Sequence, residues 1–118
     1  MHPSIVFTLI VVILHIGFFF IEAIFWTTPK VRRLFRNTKE EAETTRVIAL
    51  NQGFYNLGLA LVLLWFLYTG NTHAMMVVLL FLAGMGLVGG VTAFWTIILI
   101  QTLPALVAFT LLWLTSHP

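Results

Sequence analysis

Apolar residues run almost unbroken through three long stretches of the chain, and polar positions inside them are few enough to name. Ser4 to Trp26 is interrupted by His15 and Glu22, and Val47 to Thr69 by Asn51, Gln52 and Asn56. A bilayer core takes about 20 apolar residues per helix, so each of these stretches predicts one span. Ala74 to Thr115 is too long for a single span and must fold back on itself, around Gly89-Gly90-Val91-Thr92-Ala93. The pattern predicts helices over 4–27, 46–69, 74–91 and 95–115, with a polar loop over 28–45. No segment alternates polar and apolar with period two, as a β-barrel strand would. The expected fold class is an all-α membrane protein, a four-helix transmembrane bundle forming one domain over 1–118. The first stretch reads as a span rather than a cleaved signal peptide, because it lacks a basic leader and a small-residue cleavage site.

Composition agrees with that reading. The 118 residues are 60% hydrophobic and 8% charged, with a mean hydropathy of +1.03. An ordinary soluble domain carries about a quarter charged residues, and this chain has too much apolar surface to hide from water at its size. The absence of cysteine removes disulfides, cysteine-based zinc sites and thiol nucleophiles from consideration.

Charge placement adds the topology. Lys30, Arg32, Arg33, Arg36, Lys39 and Arg46 are the only basic residues besides histidine, and all lie between the first two spans. The positive-inside rule puts that loop in the cytoplasm and both termini outside. Trp26 and Trp95 fall at the expected inner ends of their helices and Trp65 and Trp113 near the outer ends, as an aromatic belt requires. Thr38-Lys39-Glu40-Glu41 has capping-box spacing, so a helix is expected to start at Lys39 and run into the second span. Pro29 bars a smooth continuation out of the first. The basic run has two readings, a topology anchor or a site for anionic lipid or phosphate.

Ionisable groups in hydrocarbon are costly and mark functional sites by default. At 100° per residue, Ser4, Thr8, His15, Glu22 and Trp26 fall within about 20° of one line, a stripe that must face protein or water. With Thr27, Val47 and Trp95 taken as the inner interface, a rise of about 1.5 Å per residue puts Glu22, Asn51, Gln52 and Gln101 roughly 6–9 Å inside it. Tyr55 and Asn56 follow at about 12–14 Å, and His15 near 18 Å. These depths point to a buried polar pocket in the cytoplasmic half of the bundle. Its candidate catalytic residues are Glu22, His15 and Tyr55; its candidate ligand-binding residues are Asn51, Gln52, Asn56, Gln101 and Trp26. The competing reading makes the amides and hydroxyls simple interhelical glue. No metal site is expected, since His15 and Glu22 are separated by about 10.5 Å of helix. One histidine suffices as a haem's axial ligand, so His15 leaves a haem open, while no other residue points to it and the cofactor is unknown. Gly86-xxx-Gly90 has the spacing for close helix approach, and Pro104 leaves the carbonyl of Ile100 without its usual donor.

The same residues carry a family resemblance. His15, Glu22 and Trp26-Thr27-Thr28-Pro29, then Asn51-Gln52-Gly53 with Tyr55-Asn56, then Thr92 and Gln101-Thr102-Leu103-Pro104-Ala105, resemble the domain-of-unknown-function 1304 family. The resemblance spans nearly the whole chain and implies a small bacterial four-helix protein of the inner (plasma) membrane. After Thr92, where relatives often carry basic residues, this chain has Ala93-Phe94-Trp95, which weakens any phosphate role for that turn. The family implies no activity.

Three functions fit the pattern. The first is a site for a small lipophilic molecule, with isomerase-like acid–base chemistry at Glu22. The second is a proton-coupled exporter using Glu22, similar in size to small multidrug transporters; the third is a structural or accessory membrane subunit. The bilayer is the expected partner, a homo-oligomer is compatible, and no nucleic-acid signature is present.

Overall fold

The computed structural model describes all 118 residues and contains helices and turns but no strand. In hydrocarbon every backbone polar group must be satisfied within its own segment, which turns long apolar runs into helices. Helix α1 (Pro3–Phe19) continues through a π-turn at Phe20–Ile24. A short helix α2 (Pro29–Phe35) follows, then α3 (Lys39–Thr69), α4 (Thr72–Thr92), a second π-turn at Ile98–Thr102 and α5 (Leu103–Ser116). Four helical segments are long and apolar enough to cross a membrane: Pro3–Ile24, Lys39–Thr69, Thr72–Thr92 and Ile98–Ser116. The all-α class with four spans is therefore what the chain forms.

The first span ends at Ile24, three residues earlier than the apolar pattern predicts. Thr28 is extended at φ −70°, ψ 150°, as the residue before a proline is biased to be, and Pro29 opens α2. The stretch expected as a loop over 28–45 is instead mostly helical. α2 stops at Arg36, whose φ of 57° is left-handed, and the Asn37 amide closes the end on the Arg32 carbonyl at 2.8 Å. The expected capping box opens α3: Glu41 N donates to Thr38 Oγ1 and Thr38 N to Glu41 Oε1, each at 3.1 Å. At 31 residues α3 is roughly 46 Å long, well beyond a bilayer core of about 30 Å, so its charged first turns stand outside.

Backbone proximity groups the chain into two compact units, His15–Ala60 and a second made of Met1–Leu14 with Leu61–Pro118. In the second, Thr8 and Val11 of α1, Leu63 of α3, Leu79 and Leu82 of α4, and Ala105 and Ala108 of α5 are all buried. Its α3–α4 connection is tight: Gly70 takes φ +69°, the Asn71 amide reaches back to the Phe66 carbonyl at 2.9 Å, and the Asn71 side chain accepts from Ala74 N. The α4–α5 reversal lies at Ala93–Trp95 and not in the glycine pair, which stays helical. Gly89 and Gly90 instead clear a path for the returning chain, since a methyl on Gly90 would overlap the Ile98 side chain.

Candidate functional site

Within His15–Ala60 the functional geometry is built where α3 packs on the first π-turn. In that turn Phe25 N donates to the carbonyl of Phe20, five residues back, at 3.0 Å. Such single turns interrupt α-helices and occur frequently at functional sites. Gly53 of α3 is buried directly against it. A methyl added there would sit 3.1 Å from both Cβ and N of Ala23 and 3.2 Å from the Phe19 carbonyl oxygen. The next residue, Phe54, packs edge-on to Phe19 with ring centres 5.2 Å apart. One turn further along α3, the Asn56 side-chain amide donates to Glu22 Oε1. Asn56 is 8% exposed, whereas Glu22 is only half-buried. The second carboxyl oxygen, Oε2, takes no hydrogen bond from the chain, and no cation pairs with it.

The candidate residues separate around this pair. Gln52 lies one turn before Asn56, about 40° around α3, and its side chain is exposed at the margin of the same face. Asn51 and Tyr55 point away: they stand roughly 140° and 100° around the helix from Asn56, and Tyr55 is 69% exposed. Neither side chain bonds elsewhere in the chain. Glu22 and Asn56 are brought together, whereas rotation around α3 puts Asn51 and Tyr55 on other faces of the helix. Depth itself is off by one turn, because Glu22 meets Asn56 rather than Asn51 or Gln52. His15 is buried at 1% exposure with its ring edge-on to Phe18, centres 5.2 Å apart. Ser4 and Thr8 are buried as well, so the polar stripe of α1 faces protein. Trp26 donates its indole N–H to Thr45 Oγ1 at 3.0 Å and packs against Phe35, centres 5.0 Å apart, which ties the end of the first span to α2 and α3. No three His, Asp or Glu side chains gather in a metal-binding group.

Gln101 belongs to the other unit and sits on the second π-turn, where Leu103 N donates to the Ile98 carbonyl. Pro104, with no N–H to offer Ile100, follows immediately. Gln101 Nε2 donates to the Leu82 carbonyl at 3.0 Å and Thr102 Oγ1 to the Ala83 carbonyl at 2.9 Å, both on α4. Here too a glycine faces the π-turn: a methyl on Gly86 would overlap Thr102 Oγ1 and stand 3.0 Å from Thr102 N. Thr102 is not one of the residues the sequence marks for a site. Its only mark in the sequence is its place beside Gln101 in Gln101-Thr102-Leu103-Pro104-Ala105; its contact with α4 shows in the fold.

The family model for a protein of unknown function (DUF1304) matches residues 9–113. The chain belongs to the DUF1304 family. The match takes in both π-turns, both facing glycines and the Glu22–Asn56 pair of this DUF1304 protein. No curated protein and no solved structure matches it.

Proposed function

We propose that this DUF1304 protein binds a small lipophilic molecule at Glu22 and acts on it by moving a proton, as an isomerase would. The observation that carries the reading is the bond from Asn56 to a single oxygen of Glu22. An amide pair would hold two helices at lower cost than an ionisable group in a membrane span. Asn56 sets the plane of the carboxyl group through Oε1 and leaves Oε2 for a ligand's proton. The half-buried position of Glu22 gives that oxygen access, and Gln52 at the margin offers an amide to a polar end of the ligand. A carboxyl placed this way serves as acid or base once a substrate brings a transferable proton within hydrogen-bond reach. No metal or cofactor is needed for such a transfer.

The test is Glu22→Gln, which keeps an oxygen for Asn56 to donate to. Protein purified in mild detergent is extracted, and its co-purifying lipophilic compounds are compared by mass spectrometry. A discrete compound retained by the wild type and lost by the variant, at unchanged thermal stability, supports the reading. Identical extracts from both proteins overturn it and leave the residue as glue. Proton release from the wild type on adding a lipophilic cation assigns Glu22 to coupled export instead.

A further inference from the structure

Helix α2 follows the first span by four residues and presents its charges on one side. At 100° per residue, Arg32, Arg33 and Lys30 succeed one another around an arc of roughly 160°, with Val31 and Phe35 on the opposite side, and Arg36 follows as the left-handed residue that ends the helix. The apolar side is docked, with Val31 buried and Phe35 against Trp26. The cationic side is not neutralised by the chain's own acids. The single ion pair joins Arg46 to Glu43 at 3.6 Å, and Glu41 is engaged with Thr38 in the capping box.

Two details set this arc apart from solvated charges that only fix topology. Arg32 Nε is buried without a hydrogen-bond partner, which costs free energy unless an acceptor arrives. Arg36 occupies the left-handed backbone region at φ 57°, where glycine would avoid the strain, yet the position carries a guanidinium. The helix-end closure on the Arg32 and Arg33 carbonyls brings Arg36 back beside that last turn. Guanidinium groups match phosphate oxygens in planar, paired hydrogen bonds.

We propose that α2 binds the phosphate headgroup of an anionic phospholipid, with Arg32 and Arg36 as its ligands and Lys30 and Arg33 adding charge. A lipid, rather than a free anion, is favoured by Leu34. That side chain borders Lys30 on the arc and is 64% exposed, so acyl chain beside the headgroup covers what water would otherwise meet. The placement of α2 at the end of a span, at the level of Trp26, puts it where phosphates lie.

Delipidated full-length protein in detergent, titrated with phosphatidylglycerol, phosphatidylcholine and inorganic phosphate under native mass spectrometry, tests this. Phosphatidylglycerol binds in preference to phosphatidylcholine. Arg32→Gln and Arg36→Gly each weaken it roughly fivefold, what one basic residue contributes near an anionic surface. Arg46→Gln, already paired with Glu43, leaves it unchanged. Arg36→Gly is the decisive variant because it relieves backbone strain, so its melting temperature holds or rises while binding falls. Equal affinity for the two lipids, or full phosphatidylglycerol binding by both arginine variants, overturns the proposal. Inorganic phosphate that competes as well as the lipid also overturns it, by assigning the arc to a free anion.

Discussion

Asn56 and Glu22, thirty-four positions apart, are joined through one amide hydrogen and one carboxyl oxygen inside a membrane-spanning region. The bond sits on a π-turn whose backbone Gly53 approaches closely. Loss of either component has separable consequences. Asn56→Leu removes the donor and leaves the carboxyl group without any partner in the chain. It is expected to lower unfolding free energy by about 1–2 kcal/mol, read from denaturation in mixed micelles. Glu22→Gln keeps an acceptor and is expected to stay within about 0.5 kcal/mol of the wild type.

The packing of α3 on the first π-turn predicts a contrast between two glycines on one helix. A methyl at Gly53 meets Ala23 and the Phe19 carbonyl at 3.1–3.2 Å, whereas one at Gly58 has nothing within 4 Å. Gly53→Ala is expected to cost about 1–3 kcal/mol, the usual range for overpacking. Gly58→Ala should change stability by less than about 0.5 kcal/mol. Equal effects in the same micelle denaturation would show that the approach at Gly53 is not tight.

Gly86 and Thr102 form the corresponding contact in the other unit, and their coupling is measurable. Thr102→Ala deletes the hydroxyl that bonds the Ala83 carbonyl, expected to cost about 0.6–1.7 kcal/mol. Gly86→Ala alone places its methyl onto that hydroxyl and near Thr102 N. In the Thr102→Ala background the first obstacle is gone and the backbone nitrogen remains. Gly86→Ala should therefore cost less there than in the wild type, by about 0.5 kcal/mol or more. Strict additivity in a double-mutant cycle would mean that the methyl is accommodated elsewhere.

What the sequence shows plainly here is what depends on transfer into lipid. Span number and the inward polar stripe of Ser4, Thr8 and His15 follow from apolar runs and a helical period, and the structure keeps them. The capping box at Thr38 and Glu41 is equally local and equally legible. Rotation and register are less so, for an identifiable reason. A π-turn widens the helix by one residue, so angles counted at 100° per residue lose phase at Phe20–Ile24, where Glu22 lies. The first span ends at Ile24 and not at Thr27, and α3 begins at Lys39 and is longer than a bilayer core. Depths counted from assumed interfaces therefore brought Glu22 to Asn51 and Gln52, one turn short of Asn56. The glycines mark the missing contacts, but only the folded chain tells which glycine faces a backbone and which faces open space. α2 is not legible in the sequence because seven residues beginning with proline and rich in arginine carry too short a period to stand out from a polar loop.

The reciprocal cap at the start of α3 yields the last prediction. Lys39 to Arg46 projects beyond the span, so its helical order rests on the cap and on local bonds rather than on lipid. Thr38 Oγ1 satisfies Glu41 N, and Glu41 Oε1 satisfies Thr38 N. Thr38→Ala removes the first bond at a cost of about 1 kcal/mol, which should accelerate amide exchange over residues 39–42 roughly fivefold. Thr38→Ser restores the acceptor and should return the exchange to its original rate. Glu41→Gln should also preserve protection, because glutamine can accept from Thr38 N in the same position. Residues 47–69 should show no change in any of these variants, since their backbone bonds are held by an environment without competing water. Acceleration reaching into that segment would mean that the cap and the span unfold as one unit.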